Sequence, residues 1–426
     1  MADNRVLHQV ARSPGNSRAD PQEMNTCCFE GMPMRFVSIF LVVLVMSCAG
    51  PQAALDGGMP SVEPIPAEPD AGTSGIEPCR RYEERLGGRC LSVKVTGVVS
   101  QPLNFTRAGY TLNGTVVRPT TQGDYRAPGV VLVHGSGPND RDESLSGSLG
   151  VAYGQLVAVF QLLAEKLAQQ GMVVYRYDKR TCFKENSSNR CPNPVANYVG
   201  SIDGIFTSDY VLDARAALQE LARQPWVDAQ DLTVIGHSEG ANFIPLIVKD
   251  EPGVIAGVQL AGASESIDKV IVGQLRDLAN YLEQANSPQY ASTISNLRSE
   301  ANRYEGVLQQ IQAGTYPQSR FEGATVEQWK EWIQHTSSLR AEFQAVTKPI
   351  FVLNGEFDFN VAPRHLQQFR QWSTEVNMSN ARFLLLPNVT HAFLTLNEQK
   401  TSIDFNFSPT ALSAIAEWHR DLTVSH

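Results

Sequence analysis

Short apolar runs recur along the chain from about residue 129 onwards, and the segments between them carry apolar residues at helical spacing. The runs are GVVLVH at 129–134, MVVYRY at 172–177, DLTVIG at 231–236, VIAGVQLA at 254–261, PIFVLN at 349–354 and RFLLLP at 382–387. Consecutive apolar positions are expected in strands of a parallel sheet that is covered on both faces. Strand and helix alternating in this way predict an α/β fold with a doubly wound, mostly parallel sheet. Two β-rich segments before these runs, 91–99 and 110–118, predict antiparallel strands.

One connection between the predicted strands is too long for a loop. More than eighty residues separate Ala261 from Pro349, whereas loops in compact domains rarely exceed about 15 residues. The segment shows helical stripes: Ile271, Leu275, Leu278 and Leu282; Tyr304, Leu308 and Ile311; Val326, Trp329 and Ile333. We predict that residues 264–345 form a helical lid, inserted into a sheet domain made of 91–263 and 346–426. Ordinary helices packed on the back of the sheet are the alternative.

The first ninety residues lack this pattern. Residues 36–46, FVSIFLVVLVM, are apolar except for Ser38 and follow Arg35. This run suits the hydrophobic region of a secretory signal peptide and is too short to span a membrane. Residues 45–48, VMSC, resemble a bacterial lipobox, which implies that residues 1–47 are removed and that Cys48 carries the lipid. A buried strand or helix is the alternative interpretation of the apolar run.

The segment that follows Cys48 favours export and membrane anchoring. Residues 49–78 are rich in Pro and Gly and contain no Lys, Arg or aromatic residue. Such a composition cannot bury enough apolar surface to fold by itself. We therefore interpret residues 48–90 as a tether with a short cysteine-bearing segment, and predict a lipid-anchored protein of the bacterial cell envelope, with its domain in the periplasm or outside the cell.

Four cysteines remain after the lipobox: Cys79, Cys90, Cys182 and Cys191. An even number in an exported domain favours disulfides. Three pairings are possible, and we predict the local one, Cys79 with Cys90 and Cys182 with Cys191, which closes two short loops. The alternative is four free thiols in a cytosolic protein.

Composition and charge narrow the function classes. Hydrophobic residues make up 42% of the chain and charged residues 19%, which excludes a wholly disordered protein and a coiled coil. Acidic residues outnumber basic ones by 44 to 35, for a formal net charge of −9. This sign disfavours a general nucleic-acid-binding protein. We find no metal-ligand cluster, phosphate-binding glycine loop or dinucleotide motif, so we predict no metal and no cofactor.

The sequence GHSEG at 236–240 indicates a catalytic serine. An apolar strand leads into it and a helical segment leads out, which is the context that a nucleophile elbow requires. The elbow places Ser238 on a sharp turn where its hydroxyl faces a cleft, and flanking glycines allow close backbone packing. A glycine-rich turn with an inert serine is the alternative.

A serine hydroxyl needs a base to accept its proton, and the base needs an acid to orient it. In the chain order typical of such elbows, the acid and then the histidine follow the serine. His391 stands in the loop after the last predicted parallel strand, and Asp358 stands in the loop after PIFVLN. Glu356 is the nearest competitor for the acid, and Glu265 is the next candidate. Loop residues without a catalytic role are the alternative for each.

Backbone N–H groups should stabilise the oxyanion of an acyl-transfer reaction. The N–H of Glu239, the residue after the nucleophile, is one predicted donor. The second should come from the loop after 129–134, where Ser136 is the predicted donor and Gly137 the alternative. A plain tight turn would explain this loop without function.

Several blocks together resemble the α/β-hydrolase superfamily over roughly residues 95–423. They are HGSGPNDRD at 134–142, YDKR at 177–180, GHSEG at 236–240, GEFD at 355–358 and NVTH at 388–391. They are most similar to bacterial exported serine hydrolases of the esterase and serine-aminopeptidase-like group. The resemblance implies an α/β-hydrolase fold and a Ser–Asp–His triad. That group usually continues DKR with glycine, whereas Thr181 and Cys182 follow here, so the loop 181–206 is altered.

These observations favour a serine hydrolase that cleaves carboxylic esters through an acyl-enzyme intermediate. Its predicted partners are a small-molecule ester or acyl substrate and, through the lipid anchor, a membrane. A peptidase or amidase with the same triad is one alternative. A non-catalytic envelope binding protein with the same fold is the other.

Overall fold

The computed structural model describes residues 83–86, 89–121, 125–145, 157–182, 202–284, 286–400 and 402–422. The predicted signal peptide, Cys48, the tether, Cys79 and Cys191 lie outside these residues, as does the side chain of Cys90. No helix within the described ranges is long and apolar enough to cross a membrane.

Strands and helices alternate through most of the described chain. In chain order the strands are β1 (Glu83–Leu86), β2 (Arg89–Ser92), β3 (Gly97–Pro102), β4 (Phe105–Arg107), β5 (Tyr110–Leu112), β6 (Gly114–Thr120), β7 (Ala127–Val133), β8 (Ser144–Leu145), β9 (Val157–Ala158), β10 (Val173–Tyr177), β11 (Val227–His237), β12 (Val254–Leu260), β13 (Arg320–Phe321), β14 (Ala324–Thr325), β15 (Ile350–Phe357), β16 (Ala381–Thr390), β17 (Leu394–Leu396) and β18 (Ile403–Phe407). The helices are α1 (Val159–Gln169), α2 (Thr207–Ala222), α3 (Glu239–Asp250), α4 (Ile267–Gln284), α5 (Ala291–Ala313), α6 (Val326–Ser337), α7 (Leu339–Gln344), α8 (Arg364–Glu375) and α9 (Pro409–Asp421).

The central sheet has the order β18-β17-β16-β15-β12-β11-β7-β10-β6-β3 among the described strands. The strands from β16 to β10 in this order run parallel to their neighbours, and antiparallel strands extend the sheet at both edges. This architecture confirms the predicted α/β fold. In the sheet, β10 lies on one side of β7 and β11 lies on the other. The chain continues from β7 toward β10 and from β11 toward β12, so the loops after β7 and β11 lead in opposite directions. Such a point in a doubly wound sheet opens a crevice at the carboxyl ends of the strands.

Helices cover both faces of the sheet, which explains the apolar runs. All seven residues of β7 are buried. Val130 and Leu132 pack into a cluster with α1 and α9, whereas Val131 and Val133 pack into a cluster with α2, α3 and α8. Alternate side chains of one strand therefore reach opposite faces, and both faces are apolar because both are covered.

The N-terminal β-rich segments form antiparallel strands as predicted, but with different bounds. Residues 91–99 are split between the end of β2 and the start of β3, and 110–118 between β5 and β6. A small hairpin, β4 with β5, turns at Ala108 and Gly109, which have φ of 50° and 82°. On either side of this hairpin, β3 and β6 pair antiparallel, with Gly97 opposite Thr120.

The segment between β12 and β15 forms α4, α5, α6 and α7, with a 3₁₀ turn at Pro288–Tyr290 and the short strands β13 and β14. The predicted stripes meet in a separate apolar cluster that includes Leu278, Tyr304 and Trp329. β12 and β15 pair directly, with Leu260 opposite Leu353. The segment is therefore inserted between neighbouring strands, and its action as a lid stays a prediction.

Candidate active site

Ser238 occupies a sharp turn between β11 and α3. Its backbone has φ 55° and ψ −118°, a conformation that few residues with a side chain adopt. The turn depends on two glycines: a Cβ on Gly236 would lie 2.2 Å from the Gly240 carbonyl oxygen, and a Cβ on Gly240 would lie 2.2 Å from that of Val133. The two glycines of the motif thus allow the start of α3 to pack against β7 and β11.

The structure brings Asp358 and His391 together. His391 Nδ1 lies 2.8 Å from Asp358 Oδ2, and the aspartate side chain is fully buried. Asp358 Oδ1 accepts hydrogen bonds from the N–H groups of Asn360 at 2.9 Å and Val361 at 2.8 Å. Because an ionised carboxylate can only accept, Nδ1 of His391 carries the proton and Nε2 keeps its lone pair.

Glu356, the competing acid, points elsewhere. It is exposed at the end of β15, and its Oε2 accepts the N–H of Asn388 at 3.2 Å. A Cβ on Gly355 would lie 2.1 Å from the Val389 carbonyl oxygen, and the pairing of β15 with β16 is irregular just after this glycine. This close approach leaves Glu356 on the strand, whereas Asp358 follows in the loop.

The loop carrying His391 contacts the elbow at the residue before Ser238. His237 Nε2 lies 2.9 Å from the His391 carbonyl oxygen, and the two imidazole rings are 4.8 Å apart. Both segments follow the carboxyl ends of parallel strands, β11 and β16. The sequence pattern did not predict this contact.

The predicted oxyanion segments adjoin Ser238 from two sides. Glu239 is the first residue of α3, where backbone N–H groups have no intrahelical acceptor and helix dipoles favour negative charge. A Cβ on Gly135 would lie 3.1 Å from Ser238 Cβ, so the loop after β7 packs against the serine just before Ser136. The Asn139 side-chain amide holds this loop by donating to the carbonyl oxygens of Gly135 at 2.8 Å and Ser136 at 3.1 Å.

Lys179 is a buried residue of the site to which sequence analysis assigned no role. Its Nζ donates to the Gly135 carbonyl oxygen and to Glu239 Oε2, both at 2.8 Å. It also lies 4.2 Å from the centre of the Tyr210 ring. Lys179 thus ties the end of β10 to both oxyanion segments and neutralises the Glu239 carboxylate. The YDKR block after a buried strand was the available signal.

Ion pairs hold the rest of the loop after β7. Arg141 binds Asp178 through Nη2 and Oδ2 at 2.7 Å, and Arg176 pairs with Asp142. Asp140 accepts the N–H and the hydroxyl of Ser144 at 2.9 and 2.8 Å. These contacts hold the loop in place through its charged side chains, which therefore have a structural role.

Cys182 lies at the end of this region. It is disulfide-bonded, and its N–H donates to the Lys179 carbonyl oxygen at 2.7 Å. The side chain with which it pairs lies outside the described residues, so the predicted pairings stay predictions. In the part of the chain that the structure describes, no cluster of three or more His, Cys, Asp or Glu side chains could hold a metal ion.

The chain matches a known protein family and several known proteins. Residues 153–400, more than half of the chain, match the family model Hydrolase_4, described as serine aminopeptidase, S33. This range contains Ser238, Asp358 and His391, whereas the loop with Ser136 precedes it. Esterase EstD of Thermotoga maritima is 24% identical over 326 residues, which cover 74% of this chain and 68% of that protein.

Two solved structures are among those similar to this chain. An acylaminoacyl peptidase of Pyrococcus horikoshii has a TM-score of 0.48 and 11% identity, covering 78% of this chain. The match spans only 43% of the length of that peptidase. An esterase of Pyrococcus furiosus has a TM-score of 0.42 and 14% identity, covering 75% of this chain and 89% of the esterase. From the family match and the parallel sheet with its serine elbow, the chain belongs to the serine aminopeptidase S33 family of the α/β-hydrolase superfamily.

Proposed function

We propose that the protein hydrolyses carboxylic esters, with Ser238 as nucleophile, His391 as base and Asp358 as the orienting acid. The observation that carries the proposal is the 2.8 Å contact between Asp358 and His391, because the loop of His391 also contacts His237, the residue before an elbow serine held at φ 55°. The relative EstD, named as an esterase, supports the same substrate class.

The mechanism follows from the protonation states. His391 Nε2 accepts the proton of the Ser238 hydroxyl while its oxygen attacks the acyl carbon. The N–H groups of Glu239 and Ser136 stabilise the oxyanion. His391 then protonates the departing alkoxide, which leaves an acyl-serine. A water molecule then gives up a proton to His391 while its oxygen attacks the acyl carbon. His391 passes this proton to the Ser238 oxygen as the carboxylic acid leaves, and Asp358 stabilises the imidazolium in both halves.

The family description gives a specific reason for a second candidate, an aminopeptidase with the same triad. Such an enzyme needs an anionic group to bind the positively charged amino terminus of a peptide. Glu239, the carboxylate next to the nucleophile, is already paired with Lys179, and both side chains are buried. This pairing removes one candidate anchor, so we favour an acyl group without a charged amine.

A rate comparison separates the two substrates. Purified protein should be assayed with p-nitrophenyl acetate, butyrate and octanoate, and with alanine and leucine p-nitroanilides. We expect kcat/KM for the best ester to exceed that for either anilide by at least about 10²-fold, equivalent to about 2.7 kcal/mol of transition-state free energy. Faster turnover of the anilides would instead establish the aminopeptidase.

We further propose export and lipid anchoring through Cys48, supported by the apolar run at 36–46 and the VMSC sequence. Replacing Cys48 with serine is expected to move the protein from the membrane to the soluble fraction, because the acidic tether lacks aromatic or basic residues that bind membranes. Fractionation of bacteria expressing the full chain, with Cys28→Ser, before the apolar run, as the matched cysteine control, measures this. A membrane-bound Cys48→Ser protein would contradict the anchor.

A further inference from the structure

A buried histidine–glutamate pair beside the site has no part in the mechanism above. His237 Nδ1 lies 3.0 Å from Glu143 Oε2, and the two side chains are only 4% and 3% exposed. The other glutamate oxygen, Oε1, accepts the N–H of Gly135 at 2.8 Å. His237 Nε2 also faces the His391 carbonyl oxygen at 2.9 Å. The pair therefore joins three segments: the loop after β7 with Gly135 and Ser136 (the oxyanion loop), the elbow, and the loop that carries His391.

This pair carries one proton more than a neutral imidazole beside an ionised carboxylate would carry. A carbonyl oxygen only accepts, so Nε2 of His237 must donate to His391. If the imidazole were neutral, Nδ1 would present a lone pair to the carboxylate of Glu143, which would be repulsive. An additional proton must therefore lie between Nδ1 and Oε2.

The surroundings place that proton on the histidine. Burial by itself lowers the pKa of His237, but the charge and hydrogen bond of Glu143, the His391 carbonyl and the charge of Asp358 outweigh it and raise this pKa above its ordinary value. Burial favours a higher pKa for Glu143, but His237, His134 and the Gly135 N–H outweigh it and lower that pKa. His134 itself is neutral, since burial, opposed by Glu143 and assisted by the charge of Lys179, lowers its pKa to about 4.

The backbone of Glu143 is strained, which indicates that its contacts hold this residue in place. Its φ is 47°, in the left-handed region that residues with a Cβ rarely adopt. Its N–H donates to the Asp140 carbonyl oxygen at 3.0 Å, which closes the turn that directs the side chain inward. Such strain persists only where the surrounding contacts hold it.

We propose that His237 is a positioning residue that works as an imidazolium: with Glu143 it fixes the His391 loop and Gly135 of the oxyanion loop relative to Ser238. Misplacement of reacting groups by about 1 Å can cost about 10²-fold in rate. The pair therefore acts on kcat through the geometry of His391 and the oxyanion loop, and has little effect on substrate binding. This inference rests on the proposed ester hydrolysis for its kinetic consequence.

Two substitutions of Glu143 test the proposal. In Glu143→Gln, the side-chain oxygen still accepts from Gly135 and the amide donates to Nδ1 of a neutral His237, so we expect kcat within about threefold of wild type at pH 7. Glu143→Ala removes both contacts, and we expect kcat to fall by about 10²-fold with KM changed by less than about threefold. Glu251→Ala, which removes a buried carboxylate just beyond the far end of α3, is the matched control and should leave kcat unchanged.

The pH profile distinguishes positioning by a charged pair from simple support of the fold. A raised pKa means that the imidazolium persists above the ordinary value of about 6.5 and is lost as the pH rises through the raised value. Wild-type kcat should therefore show an alkaline decline that Glu143→Gln lacks, because its contacts need no charge. Parallel profiles for the two proteins, or equal losses in the Gln and Ala variants, would overturn the proposal.

A readout that does not depend on catalysis separates this inference from the proposed function. In the full-length Ser238→Ala protein labelled with ¹⁵N-histidine, the His237 resonances, assigned by their loss in an added His237→Asn change, should show both ring nitrogens protonated at pH 7. A singly protonated His237 would overturn the proposal. A wild-type protein without ester turnover, but with a doubly protonated His237, would overturn the proposed function alone and support the charged pair.

Discussion

Replacing Ser238 with alanine is expected to lower ester turnover by about 10⁴-fold or more, because removal of the nucleophile from a catalytic triad leaves only binding and oxyanion stabilisation. The alanine keeps the Cβ at φ 55°, so the elbow and the start of α3 should fold as before. Steady-state turnover of p-nitrophenyl butyrate by the purified variant measures the loss, with circular dichroism to confirm folding.

The matched control is a second serine that contacts a histidine. Ser264 Oγ lies 2.9 Å from His365 Nδ1, and burial lowers the pKa of this histidine to about 4. No elbow surrounds Ser264, so Ser264→Ala should retain turnover to within about tenfold. A fluorophosphonate probe should label wild type and Ser264→Ala but not Ser238→Ala. A folded Ser238→Ala protein with near-wild-type turnover, or wild type that resists the probe, would favour the non-catalytic binding protein.

Replacing Asp358 with asparagine is the second large effect that we expect. The amide nitrogen of the new residue would donate where Oδ2 now accepts, which favours the His391 tautomer with the proton on Nε2. That tautomer cannot take the proton of Ser238, and the neutral amide cannot stabilise an imidazolium. The corresponding change in a serine-protease triad costs about 10⁴ in turnover, and we expect a loss of several orders of magnitude here at neutral pH.

Glu356→Gln is the matched control for Asp358→Asn. Glu356 lies two residues earlier, is exposed, and contacts only the Asn388 N–H among the described residues, a bond that a glutamine oxygen also accepts. Turnover should fall by less than about tenfold. If Glu356→Gln lost turnover while Asp358→Asn kept it, Glu356 would be the acid of the triad. If both stayed active, Glu265 would become the next acid to test.

The parallel strands could be predicted from sequence because each is apolar on both faces and bounded by polar turns. The run at 254–261, for example, corresponds to β12 at Val254–Leu260. At residues 91–118 the pattern predicted the antiparallel strands but not their bounds, because a short hairpin interrupts them. The edge strands β17 and β18 alternate apolar and polar residues, but with three and five residues they are too short for this alternation to stand out.

Some residues of the site could likewise be predicted from the sequence, and others could not. Ser238, Asp358 and His391 follow predicted strands at places where such sheets gather functional side chains, so their positions could be inferred from chain order. Contacts that depend on tertiary packing could not. Lys179 reaches Glu239 across 60 positions, and Glu143 reaches His237 across 94, with no periodic pattern to join them.

The insertion between β12 and β15 leaves and rejoins the sheet at two strands that are hydrogen-bonded to each other. Its length can therefore change without altering the register of any strand that carries Ser238, Asp358 or His391. Several contacts couple it to the rest of the chain, among them the hydroxyl of Thr207 to Glu331 at 2.6 Å, Gln274 to the Asn360 carbonyl at 2.7 Å, and the Phe343 ring against that of Phe369. The insertion can therefore vary in length only between these contacts, while the strands that carry Ser238, Asp358 and His391 keep their pairing.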